Sequence, residues 1–331
     1  MKIYIDASCD ILYSSFYIKG IEDVWGKSKV FFKNKPFSKF SFNNHYFAFI
    51  IKDKGNESRI IIDFADSSKI DEKALKWADF YCKINIDYEI DYNSDKIISI
   101  GPSFGIKIYS LQKTIFLAIS NFIKSKKRIH NKRSFFSNYK AQLKRPKITD
   151  YFPYLEKENY IYFVGSLWKK ELKTNNFRAN FIRACLASKA SFEGGFAPRT
   201  RNDIPGYEDI TMEARDDMKN FVLKTKKSIS VFNTPAVQDC HGWKLGEFLC
   251  FGKAIISTPL SRKLPAALID KKHLLFTDGS QKDMETKLEL LITDKKLRNS
   301  LKENARNYFE EELSPEKIIK KIKDLHQHRF K

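Results

Sequence analysis

The sequence predicts an α/β protein of two domains, the second a doubly wound parallel sheet. Two observations carry this. After residue 154 the chain alternates apolar β-branched runs with amphipathic segments, which implies parallel strands covered by helices on both faces. At 331 residues it also suffices for two domains of roughly 150 residues each. A third observation locates the chemistry: in residues 228–258, "SISVFNTPAVQDCHGWKLGEFLCFGKAIIST", a strand gives way to a helix around Gly242, with Asp239 before it and Glu247 inside it.

The first half reads as β-rich with interspersed helices. Its strands are "KIYID", "HYFAFIIKD", "SRIIIDFAD", "DFYCKINI" and "KIISIGP", runs of β-branched and aromatic residues bounded by turn formers. Leu111, Ile115, Ile119 and Phe122 recur at helical spacing and predict a helix ending in Lys124–Arg128. Residues 124–147, "KSKKRIHNKRSFFSNYKAQLKRPK", are strongly basic. They read either as a helix end and a solvated interdomain linker, or as a basic patch tipped by Phe135, Phe136 and Tyr139 that meets an anionic membrane surface. A domain boundary is expected near Pro153, giving domains 1–153 and 154–312.

The second half supplies strands in "NYIYFVGS", "ASFEGGF", "SISVFNT", "KAIIST" and "HLLFTD". Helices are expected in "TNNFRANFIRACLAS", "MEARDDMKNFVLKTKK", "GWKLGEFLCFG" and "DMETKLELLIT". Leu297, Leu301, Ala305 and Tyr308 stripe a further helix. Ser314-Pro315-Glu316 opens a last one over 313–331, with a capping serine, proline in the first turn and an acid at the positive end of the dipole.

Composition bounds the function. The formal net charge of +20 comes mainly from lysine spread along the chain. Anionic membrane, phosphorylated substrate and nucleic acid all fit such a charge, but no nucleic-acid motif accompanies it, so nucleic acid ranks last. The five cysteines form no Cys-x-x-Cys pair, which disfavours structural zinc and a disulfide framework. No leader and no membrane-length apolar run is visible, so the expected place is the cytoplasm, peripheral to the inner face of the membrane if the basic patch docks there.

Doubly wound sheets bind ligands beyond the carboxyl ends of their strands. A helix starting near Gly242 there directs the N–H groups of Gly242, Trp243 and Lys244 at the crevice, an anion site to which Lys244 adds a cation. Two carboxylates beside an anion site make sense for a ligand that carries hydroxyls as well as phosphate, a nucleotide sugar. The same residues also read as an ordinary amphipathic helix, with Leu245, Phe248 and Leu249 as core face and Asp239 as cap.

The stretch "DCHGWKLGEFLCFGKAIIST" resembles the signature of GT-B glycosyltransferases, above all family 4 (group 1): an acid, seven residues, Glu, then Gly-Lys-Pro and a short strand. Asp239 stands where Glu is usual and Gly252-Lys253-Ala254 where Gly-Lys-Pro is usual. The downstream "D..LR..L..NAR" and last helix are similar as well, so the resemblance covers about 160–325 and is thin before that. It implies two Rossmann-like domains facing across a cleft, the first for the acceptor, the second for the donor, and a last helix that crosses back to the first. It implies that Glu247 binds the ribose, that Asp239 faces the transferred sugar and that Gly242 and its neighbours hold the diphosphate. Where the family carries Arg and then Lys after the first strand of this domain, the chain reads Gly165-Ser166-Leu167-Trp168-Lys169-Lys170, so Lys169, Lys170 or Arg178 would supply the charge. His241, Asn233 and Thr234 are further donor contacts. Glu193, with glycines 194 and 195 admitting close ligand approach, and Arg199 and Arg201 are weaker ones. Asp6, Tyr17, Lys19 and Gly20, after the first strand, are the acceptor-side candidates.

The function expected is transfer of a sugar from a nucleotide sugar to a glycan or glycolipid, as in lipopolysaccharide or other surface polysaccharide assembly. No Asp-x-Asp motif is present, so no metal or other cofactor is expected, and the resemblance leans to retention of configuration. The alternatives are a non-hydrolysing nucleotide-sugar epimerase of the same fold, which needs no acceptor, and a basic lipid- or polyanion-binding protein without turnover.

Overall fold

A computed structural model of the chain describes residues 1–38, 45–154, 156–201 and 203–331. They form two units, one of Met1–Ile148 with Lys263–Pro265 and Glu311–Lys331, the other of Thr149–Arg262 with Ala266–Glu310.

In the first unit β1 (Lys2–Asp6) leads through Asp10 into α1 (Ile11–Trp25). Asp10 caps that helix by accepting from the N–H groups of Leu12 and Tyr13. There follow β2 (Val30–Lys33), β3 (Tyr46–Asp53), β4 (Asn56–Asp63), α2 (Glu72–Trp77), β5 (Phe80–Lys83), the two-residue β6 (Ile86–Asp87) and β7 (Ile97–Ser99). The sheet order is β2-β1-β3-β4-β5-β7. β1–β2, β4–β5 and β5–β7 are parallel. β3 is antiparallel to both neighbours. The β3–β4 pairing has a local cause: Lys54 and Gly55 take φ of 49° and 91°, the left-handed pair of a two-residue hairpin turn. The alternation pattern shows two strands here, and this turn makes them a hairpin within a mixed sheet.

α3 (Leu111–Ser125) and α4 (Lys132–Leu143) complete the chain up to the second unit. The helix predicted at 111–122 exists, and most of its apolar stripe is turned outward. Thr114, Leu117, Ala118, Asn121 and Ser125 are its buried side, while Leu111, Ile115 and Ile119 are exposed. Asn121 donates from Nδ2 to the Tyr139 hydroxyl, so a polar contact and small side chains seat the helix. The basic stretch is not a solvated linker. Asn131 caps α4, and Phe135 and Tyr139 are buried, so of the three aromatic tips only Phe136 is exposed.

α10 (Pro315–Arg329), capped by Ser314, belongs to this unit and packs on α1. Gly20 explains the contact, since a Cβ there would collide with the backbone carbonyl of Pro315 and the side chain of Ile319. Gly20 is therefore a packing residue rather than an acceptor contact.

The second unit holds β8 (Tyr160–Gly165), α5 (Leu172–Ala187), β9 (Ser191–Phe196), α6 (Met218–Lys227), β10 (Ser230–Asn233), α7 (Trp243–Phe251), β11 (Ala254–Ser257), β12 (Arg262–Lys263, whose Lys263 falls in the first unit), β13 (Leu275–Phe276), α8 (Gln281–Thr293) and α9 (Lys295–Tyr308). β8 pairs with β9 and β10-β11-β13 form a second ladder, all parallel. The ladders meet where Ile229 donates its N–H to the Tyr160 carbonyl (2.9 Å) and the Tyr162 N–H to Ser228 Oγ (2.9 Å). Phe163, Phe181 and Phe232 pack against one another in the core, the last two stacked with centroids 4.7 Å apart. Gly194 and Gly195, at φ of 136° and 139°, serve this sheet rather than a ligand. A Cβ on Gly194 would strike the Phe163 carbonyl, and one on Gly195 that of Ile210.

Gly20→Ala is expected to lower the stability of the chain by about 1–3 kcal/mol, the usual range for overpacking. Urea unfolding measures it, and an unchanged midpoint would show that α1 and α10 separate without cost.

Candidate functional site

The carboxyl ends of β8 and β10 and the start of α7 enclose a pocket of about 160 Å³. Ser166 and Trp168 come from the loop after β8, Arg178 from α5, Phe232, Asn233 and Thr234 from the end of β10, and Gly242, Trp243 and Lys244 from the start of α7. Seven of these residues, Ser166, Arg178, Asn233, Thr234, Gly242, Trp243 and Lys244, are candidates the sequence singles out. They gather here because parallel strands deliver their carboxyl ends to one edge.

The loop after β8 is fixed on three sides. Arg178 Nη1 donates to the Ser166 carbonyl at 2.6 Å and Arg199 Nη1 to that of Leu167 at 2.7 Å. Asn175 accepts from the N–H of Trp168 (3.0 Å) and donates to its carbonyl (2.8 Å), standing in for a neighbouring strand. Asn233 donates to Ser257 Oγ and Thr234 Oγ1 accepts from Thr258, so both are held by the turn after β11.

Gly242 is the N-cap of α7, at φ −75°, a conformation open to any residue. An added Cβ would meet only Ala236 Cβ, at 3.5 Å. The glycine is thus not required by the backbone, and its lack of a side chain serves to leave the pocket open.

Arg178 keeps its charge although burial lowers its pKa to about 10. Lys244 behaves differently from the mobile cation expected. Its Nζ donates to the Val164 carbonyl and lies 5.0 and 5.6 Å from the ring centroids of Phe163 and Phe221. The residue is half-buried at the pocket. Burial, and then the Arg178 charge, depress its pKa to about 7, with Glu247 acting weakly in the opposite sense.

The other candidates lie outside this pocket's walls. Glu247 is buried, and the Tyr151 hydroxyl lies 3.4 Å from its Oε1. Asp239 is exposed and follows Gln238, both in the left-handed region at φ of 58° and 56°. This sparsely populated pair is imposed by bonds from the Gln238 N–H to Glu171 (3.1 Å), from Arg262 Nη2 to the Gln238 carbonyl (2.9 Å) and from Ser261 Oγ to the Asp239 carbonyl (2.5 Å). His241 is buried with Nε2 3.0 Å from the Arg262 carbonyl, an acceptor only, so that nitrogen carries a proton. Lys169 is exposed and pairs with Asp203 at 3.7 Å, and Lys170 is exposed; of the three candidate cations only Arg178 lines this pocket. Gly165 backs the pocket, where a Cβ would press on Arg178 Cδ at 3.3 Å.

The acceptor-side candidates are corrected by their partners. Asp6 is buried in a two-bond ion pair with Arg128 (2.8 Å each) and also accepts from Ser8. Tyr17 is fully buried, donating to Ser103 Oγ at 2.9 Å. Lys19 pairs with Asp23 at 2.5 Å along α1. Each is spent on the first unit's own structure. Glu193 likewise binds Lys224 and the Tyr160 hydroxyl.

A second pocket, of about 270 Å³, lies on the far side of Leu167. Pro198, Arg199, Arg201, Ile204 and Tyr207 are among its walls, and Arg199 is braced by Asp203. Pro198, Ile204 and Tyr207 carry no motif, and sequence reasoning misses them. The length of the loop between β9 and α6 is their only signal, since long ordered loops at strand ends commonly build sites. Among the described residues no group of three or more His, Cys, Asp or Glu side chains is placed to hold a metal ion, and no helix is long and apolar enough to cross a membrane.

Because the Lys244 pKa falls from the ordinary 10.5 to about 7 on folding, the unfolded chain binds more protons between those values. The chain is therefore expected to lose stability as pH falls from about 10 to 7. Lys244→Met should flatten that part of the curve. Parallel pH profiles of variant and wild type in urea unfolding would show that Lys244 is not the group responsible.

No protein-family model matches the chain, and no curated protein matches it. Solved structures similar to it include a glycosyltransferase from Rickettsia africae ESF-5, at 10% identity over 76% of this chain and 64% of that one, with a TM-score of 0.45. A sucrose-phosphate synthase from Thermosynechococcus elongatus is 12% identical over 80% of this chain and 64% of that one, again at 0.45. The C-terminal domain of a glycosyl transferase group 1 family protein (LpcC) from Francisella tularensis is 16% identical over 49% of this chain and 95% of that domain, at 0.38. The chain spans 64% of the length of the first two.

Proposed function

We propose that the chain is a glycosyltransferase that takes its sugar from a nucleotide-sugar donor. The observation that carries this reading is the pocket at the start of α7, where a half-buried, charged Arg178 and the first turn of a helix face one cavity, with a larger, partly apolar one lined by Leu167 of the same loop. A helix N-terminus and a guanidinium suit a diphosphate. The cavity beyond Leu167, with Pro198, Ile204 and Tyr207, suits the flat base, and Arg199 and Arg201 its polar edge.

In this reading the bond from the anomeric carbon to the diphosphate breaks as the acceptor hydroxyl bonds to that carbon. The departing diphosphate keeps the electron pair and its leaving oxygen takes the acceptor hydroxyl's proton on the same face, while Arg178 and the α7 N–H groups stabilise its charge without a metal. Asp239, held on its strained loop, meets the transferred sugar. His241, anchored by the Arg262 carbonyl, positions that loop. Glu247 meets the ribose by replacing its long contact with Tyr151, a weak bond at 3.4 Å. The acceptor is a glycan or glycolipid of surface polysaccharide assembly, as the sequence resemblance implies, with retention of configuration. The exposed Lys126, Lys127, Lys132 and Arg133 of the stretch 124–147 offer charge to an anionic membrane.

Nucleoside diphosphates and nucleotide sugars are expected to raise the melting temperature, because a ligand of the native state stabilises it. Gly242→Val should melt as wild type yet bind at least about tenfold more weakly, a loss of about 1.4 kcal/mol. Equal affinity in a folded variant would remove the diphosphate from this pocket. Sugar transfer should also persist in excess EDTA, and a loss restored by added divalent metal would reject the metal-free course.

A further inference from the structure

α3 carries an apolar face turned outward. Leu111 is 61% exposed, Ile115 51%, Phe116 69%, Ile119 53% and Ile123 65%. At 100° per residue these five side chains fall within an arc of roughly 140°, opposite the packed side. Phe136 of α4 extends the patch. It is 40% exposed, and its ring centroid lies 5.1 Å from that of Phe122. Isolated exposed apolar residues are ordinary, but a contiguous patch marks an interaction surface.

Charge identifies what covers it. Lys113 and Lys124 border the apolar arc along one side of the helix, and Lys126, Lys127, Lys132 and Arg133 follow at its end and on α4, all exposed. An apolar stripe bordered by lysines is the pattern of a helix lying in a membrane interface, its apolar side among the acyl chains and its cations at anionic headgroups. A second copy of the chain would bring an equal fringe of lysines, on a protein of net charge +20, against the first. That repulsion disfavours self-association and favours an anionic lipid surface.

We propose that α3 is an interfacial helix by which the first unit docks on anionic membrane, with Ile115, Phe116, Ile119 and Ile123 entering the acyl boundary. The basic stretch after it supplies attraction, and the apolar contact comes from α3 rather than from the buried Phe135. The inference extends the reading of a lipid-borne acceptor. It is tested without donor or acceptor, so either idea can fail while the other stands.

The test is sedimentation with vesicles of phosphatidylcholine, with and without phosphatidylglycerol, at low salt. Wild type should partition onto the anionic vesicles. The variant with Ile115, Phe116, Ile119 and Ile123 all replaced by Ser alters only exposed residues and should melt as wild type. Its partition coefficient should fall about a hundredfold or more, in keeping with the apolar area withdrawn from the interface. Should that variant fail to fold, Phe116→Trp decides alone: relative to wild type, its added emission should shift to the blue on anionic vesicles and be quenched by brominated lipid. Absence of wild-type binding, equal binding by the folded quadruple variant, or unchanged emission from the Phe116→Trp variant would each overturn the proposal. So would a wild-type dimer that the quadruple variant converts to monomer, since the face would then belong to a second copy.

Discussion

Parallel pairing is the constraint on which the second unit's site depends. β8, β9, β10 and β11 run the same way, so the turns that follow them open on one edge, and each must be closed by a crossover helix. That alone brings residues as distant as Ser166, Asn233 and Gly242 to one pocket. The two ladders are joined by one backbone bond and the Ser228 hydroxyl, and the three phenylalanines beneath fill the seam. Phe232 thus closes the core and lines the pocket. A large change there alters fold and site together.

The electrostatics of the pocket are asymmetric. Arg178 and Lys244 are both half-buried, and holding two cations near each other away from water is costly. The guanidinium, with a pKa of about 10, remains charged at neutral pH and is satisfied by the Ser166 carbonyl, whereas the Lys244 ammonium is driven toward its neutral form at about 7. One fixed cation remains beside the positive end of a helix, an arrangement that only an anion completes.

Much of the second unit was legible in the sequence because its signals are local. Strand and helix alternate with the periods of buried strands and half-buried helices, and Gly242 and Gly252 mark the two ends of α7 as cap residues. Seven candidates meet in one pocket because position at a strand end is a topological property, which alternation already implies. What could not be read was side-chain direction. Lys244 sits at the pocket but reaches back to Val164, and Tyr17 lies in the first helix after β1 yet points to Ser103. Asp6 was taken by Arg128, more than a hundred residues away, a pairing that no spacing rule contains. The cavity bounded by Pro198, Ile204 and Tyr207 was invisible for the opposite reason, being built by an irregular loop without a period.

The hydrophobic period fails most clearly at α3, and the failure is informative. Period identifies an apolar face but not what the face meets. Leu111, Ile115 and Ile119 form as regular a stripe as any core helix, while the side that packs offers Thr114, Asn121 and Ser125 beside Leu117 and Ala118. Core burial of the stripe would add apolar contact, yet small and polar residues take that place, with Asn121 donating from Nδ2 to the Tyr139 hydroxyl. As packed, α3 buries Leu117 and Ala118 with small and polar neighbours and leaves the stripe outward, so the period of this helix describes a surface rather than a core.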